Sequence, residues 1–192
     1  MSVAIRQPMS VAEFLAWEER QELRWEFDGF QPVARASGTA AHATIQVNIY
    51  VAVGGRLRGK PCQLFTSSLK IQVAGSIRYP DAFVVCAPVP PDATVVTEPV
   101  VVFEVLSPST ASVDVGAKNQ EYRDTPSIRR YVMLLQDRPQ ATVFARIGDD
   151  WIGHILSADS VLAMPEIGID VPLAEFYEGV AFVETPASDT AG

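Results

Sequence analysis

Periodicity divides most of the chain into elements. Behind the capping box Ser10-Val11-Ala12-Glu13, the apolar positions Val11, Phe14, Leu15 and Trp17 predict a short helix. Leu23, Trp25 and Phe27 then alternate with Arg24, Glu26 and Asp28, the period of a half-buried strand. Asp28-Gly29 predicts a hairpin turn, with a return strand from about Phe30 to Ala36. Ser37-Gly38-Thr39 can cap a second helix reaching about Arg58, with Ala41, Ile45, Ile49, Ala52 and Val53 on its core face. Gly59-Lys60-Pro61 ends it. Strands are expected near Gln63 to Thr66, Leu69 to Val73 and Ile77 to Cys86, before a proline-rich loop from Pro88 to Asp92.

The run from Val100 to Leu106 is apolar and largely β-branched, as in a strand buried on both faces. Ser107-Pro108-Ser109-Thr110 breaks it, and a helix follows from about Val113 to Asp124. Strands at Arg129 to Gln136 and Ala141 to Ile147 pair across Asp137-Arg138-Pro139. Gly148-Asp149-Asp150 turns into a strand near Trp151 to Leu156, and Pro172 to Tyr177 is a last short helix. The order predicts a mixed α/β fold, with helices bracketing a central sheet whose strands carry acids. The expected organisation is a tail over residues 1–8, a single domain over 9–184 and a disordered tail over 185–192.

Glu104 breaks the apolar run. A buried carboxylate needs an ion pair, a metal or an opening to water. Asp81 begins another apolar strand, and two carboxylates on neighbouring strands of one core suggest a metal site. Oxygen ligands select hard cations, so the pair favours magnesium or manganese over zinc. An ordinary reading stands beside each residue. Glu104 could pair with a buried Arg or Lys, and Asp81 could face solvent. Lys118, on one helical face with Asp114 and Tyr122, could be a surface cation, or could polarise a phosphate beside the acids. Glu26 lies on the polar face of its strand, where exposure is the plain expectation. His42, in the first turn of the long helix, reads as structural.

Composition narrows the picture. The 192 residues are 48% hydrophobic and 20% charged, which fits an ordinary globular domain. No apolar stretch reaches the ~18 residues of a membrane span, and the N-terminus lacks a secretory pattern. Cys62 and Cys86 fit reduced thiols in a cytoplasmic protein. The net charge of −8 argues against a nucleic-acid partner until its distribution is considered. Residues 1–136 hold 13 acidic and 13 basic side chains, whereas residues 137–192 hold 10 and 2. The acid excess therefore belongs to the C-terminal part.

Together these residues resemble a known pattern. Pro80-Asp81 followed by Glu104-Val105-Leu106 on a buried strand resembles the PD-(D/E)XK nuclease core. Val11-Ala12-Glu13-Phe14-Leu15, Trp25-Glu26-Phe27-Asp28-Gly29, His42, Tyr79-Pro80-Asp81, Glu104 to Thr110, and Asp114 with Lys118 and Tyr122 narrow it. Over roughly residues 9–155 the chain is similar to the Uma family of bacterial restriction endonucleases. That resemblance implies a restriction-endonuclease-like fold, a divalent metal, DNA as substrate and commonly a homodimer. Asp81 and Glu104 would ligate Mg2+ or Mn2+ with the Val105 carbonyl. Lys118 would replace the motif's lysine, which is Leu106 here, and Glu26 would approach from the first hairpin. The segment Ser127-Ile128-Arg129-Arg130-Tyr131-Val132 departs from the family's Gly-Val-x-Glu-Tyr-Trp.

The expected activity is metal-dependent hydrolysis of DNA phosphodiester bonds, with Lys118 stabilising developing charge and Arg56, Arg58, Lys60 and Arg78 supplying basic contacts. The alternatives are a catalytically inactive nuclease-fold module that binds nucleic acid or protein partners, or hydrolysis of another phosphoester.

Overall fold

A computed structural model describes residues 9–34, 38–107 and 114–182, the side chains of residues 114 and 115 excepted. The expectations for the tails at 1–8 and 185–192, for Ser37, for Pro108 to Thr110 and for a helix start at Val113 lie outside the described residues.

Helix α1 (Val11–Glu18) opens on the Ser10 capping box, in which the Ser10 and Glu13 side chains each accept from the other's backbone amide. Strands β1 (Trp25–Phe27) and β2 (Pro32–Ala34) form the first hairpin. Asp28 Oδ1 accepts from the amides of Phe30 and Gln31, and Gly29 adopts a φ of 88° that favours glycine. Helix α2 (Ala40–Leu57) is capped by Thr39, whose hydroxyl accepts from the His42 amide.

Strands β3 (Gln63–Thr66), β4 (Lys70–Val73), β5 (Ser76–Arg78), β6 (Ala82–Val85), β7 (Val95–Val96) and β8 (Val101–Leu106) follow. Helix α3 (Asp114–Asp124) then crosses to β9 (Arg130–Leu135), which lies parallel to β8. Strands β10 (Gln140–Ile147) and β11 (Asp150–Ser157) complete the central sheet. A two-stranded hairpin, β12 (Val161–Met164) and β13 (Ile169–Pro172), and a 3-10 helix (Leu173–Tyr177) come last.

The central sheet has six strands in the order β11-β10-β9-β8-β6-β3, and a second sheet has five in the order β2-β1-β5-β4-β7. Only β8–β9 is parallel in the first and only β4–β7 in the second. On one face of the central sheet, Ile45, Ile49 and Val53 of α2 pack with Val84, Phe103, Val105 and the C-terminal Phe176. On the other, Ile71 and Val73 of β4 and Tyr122 of α3 pack with Phe83, Val102 and Tyr131. The described residues form a mixed α/β arrangement with helices on both faces.

The expected continuous strand from Ile77 to Cys86 is instead two strands in two sheets. Tyr79-Pro80-Asp81 carries the chain from β5 to β6. Pro80 has no N–H to place in a ladder, so pairing stops where the chain changes sheets. Both halves are apolar and buried, so hydrophobicity alone did not show the break. Strands β7, β12 and β13 were also missed. Two of them flank the Gly168 turn, and β7 is only two residues long.

The cysteines differ from expectation too. Cys62 and Cys86 are joined as a disulfide. The β3–β6 register explains their meeting: Gln63 pairs with Val85, so Cys62 and Cys86 fall opposite each other one step beyond. The expectation of reduced thiols rests on apolar context alone, and a spacing of 24 residues carries no pairing signal until that register is known.

Candidate functional site

Side chains alternate along β8. Phe103 and Val105 face α2, while Val102 and Glu104 face α3 and the second sheet. Glu104 is therefore aimed at the helix that follows its own strand. Lys118 and Tyr122, four residues apart on α3, meet it together. The Tyr122 hydroxyl donates to Glu104 Oε1 at 2.9 Å, and Lys118 Nζ lies 3.3 Å from the same oxygen.

Glu26 comes from the other sheet. The pairing of Phe27 with Ile77 sets Glu26 beside Arg78. Its Oε2 lies 3.4 Å from Lys118 Nζ and 3.4 Å from the Arg78 guanidinium, and its Oε1 accepts from the Tyr79 amide at 3.1 Å. The expectation that Glu26 is exposed does not hold: it is buried, at 7% exposure. Two-residue periodicity identified its face correctly, but Arg78 and Lys118 cover that face.

Asp81 immediately precedes Ala82, which pairs with Phe103, so Asp81 and Glu104 are neighbours across the β6–β8 ladder. The Val105 amide donates to Asp81 Oδ2 at 2.6 Å. Gln46 donates to Oδ1 at 2.7 Å, and His42 Nε2 stands 3.0 Å from that oxygen. The Tyr50 hydroxyl donates to the Asp81 carbonyl at 2.9 Å. His42, Gln46 and Tyr50 project from successive turns of α2, so one helix fixes this carboxylate. The crossover before it is held by Tyr79, whose hydroxyl donates to Glu18 Oε1 at 2.8 Å.

The structure thus brings Glu26, Asp81, Glu104 and Lys118 together, with Asp81 bound to the Val105 amide. The charges do not balance evenly. Burial pushes the Glu104 carboxyl up to about 7. The Lys118 charge opposes this, the Asp81 and Glu26 charges add to it, and the Tyr122 hydrogen bond pulls it back slightly. The same burial, with the Glu104 charge beside it, raises the Tyr122 phenol well above its ordinary value.

Arg78 does not offer a basic surface. It is 4% exposed and engages Glu121 through two hydrogen bonds of 2.7 and 2.6 Å. Burial works against its charge, but Glu121 and Glu26 outweigh burial and raise its affinity for the proton. Arg56 is likewise occupied by a bidentate pairing with Glu175, while Lys60 donates to the Gly168 carbonyl and Arg58 is exposed.

Sequence reasoning missed Gln46, Glu121 and the reach of Arg78. A signal existed for Gln46: with His42 it makes a polar i, i+4 pair beside the apolar Ile45 and Ile49. Glu121 and Arg78 are 43 residues apart on different elements, and no local pattern links them. For a cation, Asp81 and Glu104 are the adjacent oxygen donors. Among the described residues no group of three or more His, Cys, Asp or Glu is placed to hold a metal ion. No helix of the described residues is long and apolar enough to cross a membrane.

Comparison with known proteins shows the family and the fold. The chain is 32% identical over 178 residues to an uncharacterized protein of Synechocystis sp., slr1290, covering 91% of this chain and 94% of that one. It is 27% identical over 160 residues to a second, sll1609, covering 79% and 89%. Its fold matches the crystal structure of a "putative nuclease belonging to DUF820" from Anabaena variabilis, with a TM-score of 0.74 at 15% identity, over 89% of this chain and 98% of that one. Residues 11–172 match the Uma2 family, described as "Putative restriction endonuclease", and the chain belongs to that family.

Proposed function

We propose that this protein is a metal-dependent endonuclease that hydrolyses DNA phosphodiester bonds at the Asp81–Glu104–Lys118 cluster. The observation that carries this reading is the position of Lys118. The motif's lysine is absent at Leu106, yet the α3 ammonium lies 3.3 Å from Glu104. A cation delivered from the next helix therefore stands beside the motif carboxylate.

The donor set fits a hard divalent ion. Mg2+ is commonly held by one or two carboxylates, with water and phosphate oxygens completing its shell. Asp81 and Glu104 would hold Mg2+ or Mn2+. Asp81 Oδ1 is occupied by Gln46 and His42, while Oδ2 accepts one amide and retains a lone pair. Glu104 Oε1 is occupied by Tyr122 and Lys118, and Oε2 accepts no hydrogen bond among the described residues. When bound, the ion would polarise the phosphate and activate water. Lys118 stabilises negative charge developing on the phosphoryl oxygens. Glu26 holds the Lys118 ammonium from the other sheet, and Gln46, His42 and the Val105 amide fix the Asp81 carboxylate. The acids are buried and Lys118 is half-buried, which strengthens these interactions relative to water.

Relaxation of supercoiled plasmid by purified protein with Mg2+ or Mn2+ tests the proposal, with Asp81→Ala as the contamination control. Activity in both proteins, or in neither, contradicts it. DNA binding without cleavage by the wild type would support the inactive nuclease-fold module.

A further inference from the structure

Beside the site a groove of about 780 Å3 runs between α2 and β3, the edge strand of the central sheet. Tyr50 and Thr66 line one end. Tyr50 is the residue whose hydroxyl binds the Asp81 carbonyl, and Thr66 pairs with Ala82, the next residue. Arg58 and Lys60 line the other end, with Gly54 and Gly55 between. From Tyr50 to Arg58 the helix rises about 12 Å.

Two properties of this groove stand out against the rest of the chain. The protein has 23 acidic residues and a net charge of −8, yet no carboxylate lines the groove and two cations do. Arg58 is exposed and makes no ion pair or hydrogen bond among the described residues. The second property is the glycine pair inside an 18-residue helix. Glycine is unfavourable in a helix interior. A Cβ at Gly54 would sit 3.3 Å from Leu64, so close helix–strand packing explains that glycine. A Cβ at Gly55 would meet open space, so no contact among the described residues requires it.

We infer that this groove holds the sugar–phosphate backbone of a nucleic-acid strand flanking the bond to be cut. This rests on the nuclease reading above. The strand leaves the Asp81 end beside Tyr50, passes over Gly55, where the missing side chain permits close approach, and meets Arg58 and Lys60 through its phosphates. The neutral floor and the terminal cations suit a polyanion, in a chain whose overall charge would repel one.

The test measures binding of fluorescein-labelled single-stranded and duplex oligonucleotides by anisotropy across a salt series, together with plasmid relaxation. Four proteins are compared: wild type, Arg58→Glu, Gly55→Gln and the remote exposed charge reversal Arg20→Glu. Gly55→Gln replaces a helical glycine with a better helix former, so thermal melts should show it folded. Arg58→Glu should weaken binding roughly tenfold or more and lower the salt slope by about one or two. Gly55→Gln should also weaken binding, whereas Arg20→Glu should have little effect. The outcomes separate the two readings. Wild type that binds but does not cut, with binding sensitive to Arg58→Glu and Gly55→Gln, keeps the groove and removes the catalytic reading. Wild type that cuts, with both groove variants binding and cutting normally, removes the groove and keeps catalysis. Equal losses from Arg58→Glu and Arg20→Glu overturn the groove in favour of bulk charge, and wild type that binds no nucleic acid overturns it outright.

Discussion

Lys118 Nζ and Glu104 Oε1 stand 3.3 Å apart, although the two residues lie on different elements and 14 positions apart in the chain. The same ammonium lies 3.4 Å from Glu26, which belongs to the other sheet. One cation thus joins acids from both sheets at the mouth of β8.

The Glu104 carboxyl gives a pH signature. Its folded value, about 7, lies above its ordinary value of 4.5. Between those limits the folded state binds more protons than the unfolded chain, so this group's contribution to stability falls as pH rises. It is most favourable below pH 4.5 and is lost as pH passes about 7. Glu104→Gln should therefore melt higher than metal-free wild type at pH 8, with the gap closing towards pH 5. Mg2+ should stabilise wild type at pH 8 and leave Glu104→Gln unchanged. A gap independent of pH, or equal stabilisation by Mg2+, would contradict the burial and ligand assignments respectively.

Arg78 is expected to act on stability rather than on DNA. Replacing it with Met leaves Glu121 without its cation and Glu26 with Lys118 alone, and should cost about 3 kcal/mol. Urea unfolding of Arg78→Met measures this. Wild-type stability combined with weakened DNA binding would show that Arg78 serves as a surface contact after all.

The Cys62–Cys86 bond closes a 24-residue separation that spans β3 to β6. A loop of that size is worth about 3 kcal/mol in the chain-entropy account. Thermal melts with and without reducing agent should differ, and the difference should vanish in Cys62→Ser. Mass spectrometry finding two free thiols in oxidised protein would remove the bond from this description.

Local patterns made much of this fold legible. The Ser10 capping box, the Asp28-Gly29 turn and the Thr39 cap announced themselves in short stretches. So did Glu104, because a lone acid in a β-branched run has few physical explanations. What remained hidden depended on register. Asp81 and Glu104 meet because Ala82 pairs with Phe103, and Glu26 meets Arg78 because Phe27 pairs with Ile77. Long-range pairing of this kind leaves no mark on nearby residues. It also concealed the burial of Glu26, the disulfide and the change of sheets at Pro80. The lysine was legible as one of three residues sharing a helical face, but its two carboxylate partners could not be assigned until both sheets were in place.

Plasmid cleavage by Lys118→Ala, compared with wild type and Asp81→Ala, tests the central proposal most directly. Lys118 is proposed to act on the phosphate, so its loss should affect turnover more than metal occupancy. Single-turnover cleavage with Mg2+ or Mn2+ should fall about 100-fold or more in Lys118→Ala, with divalent-metal binding by calorimetry retained. Asp81→Ala should lose both. Cleavage by Lys118→Ala at the wild-type rate, or wild-type activity no greater than that of Asp81→Ala across both metals, would contradict the assignment.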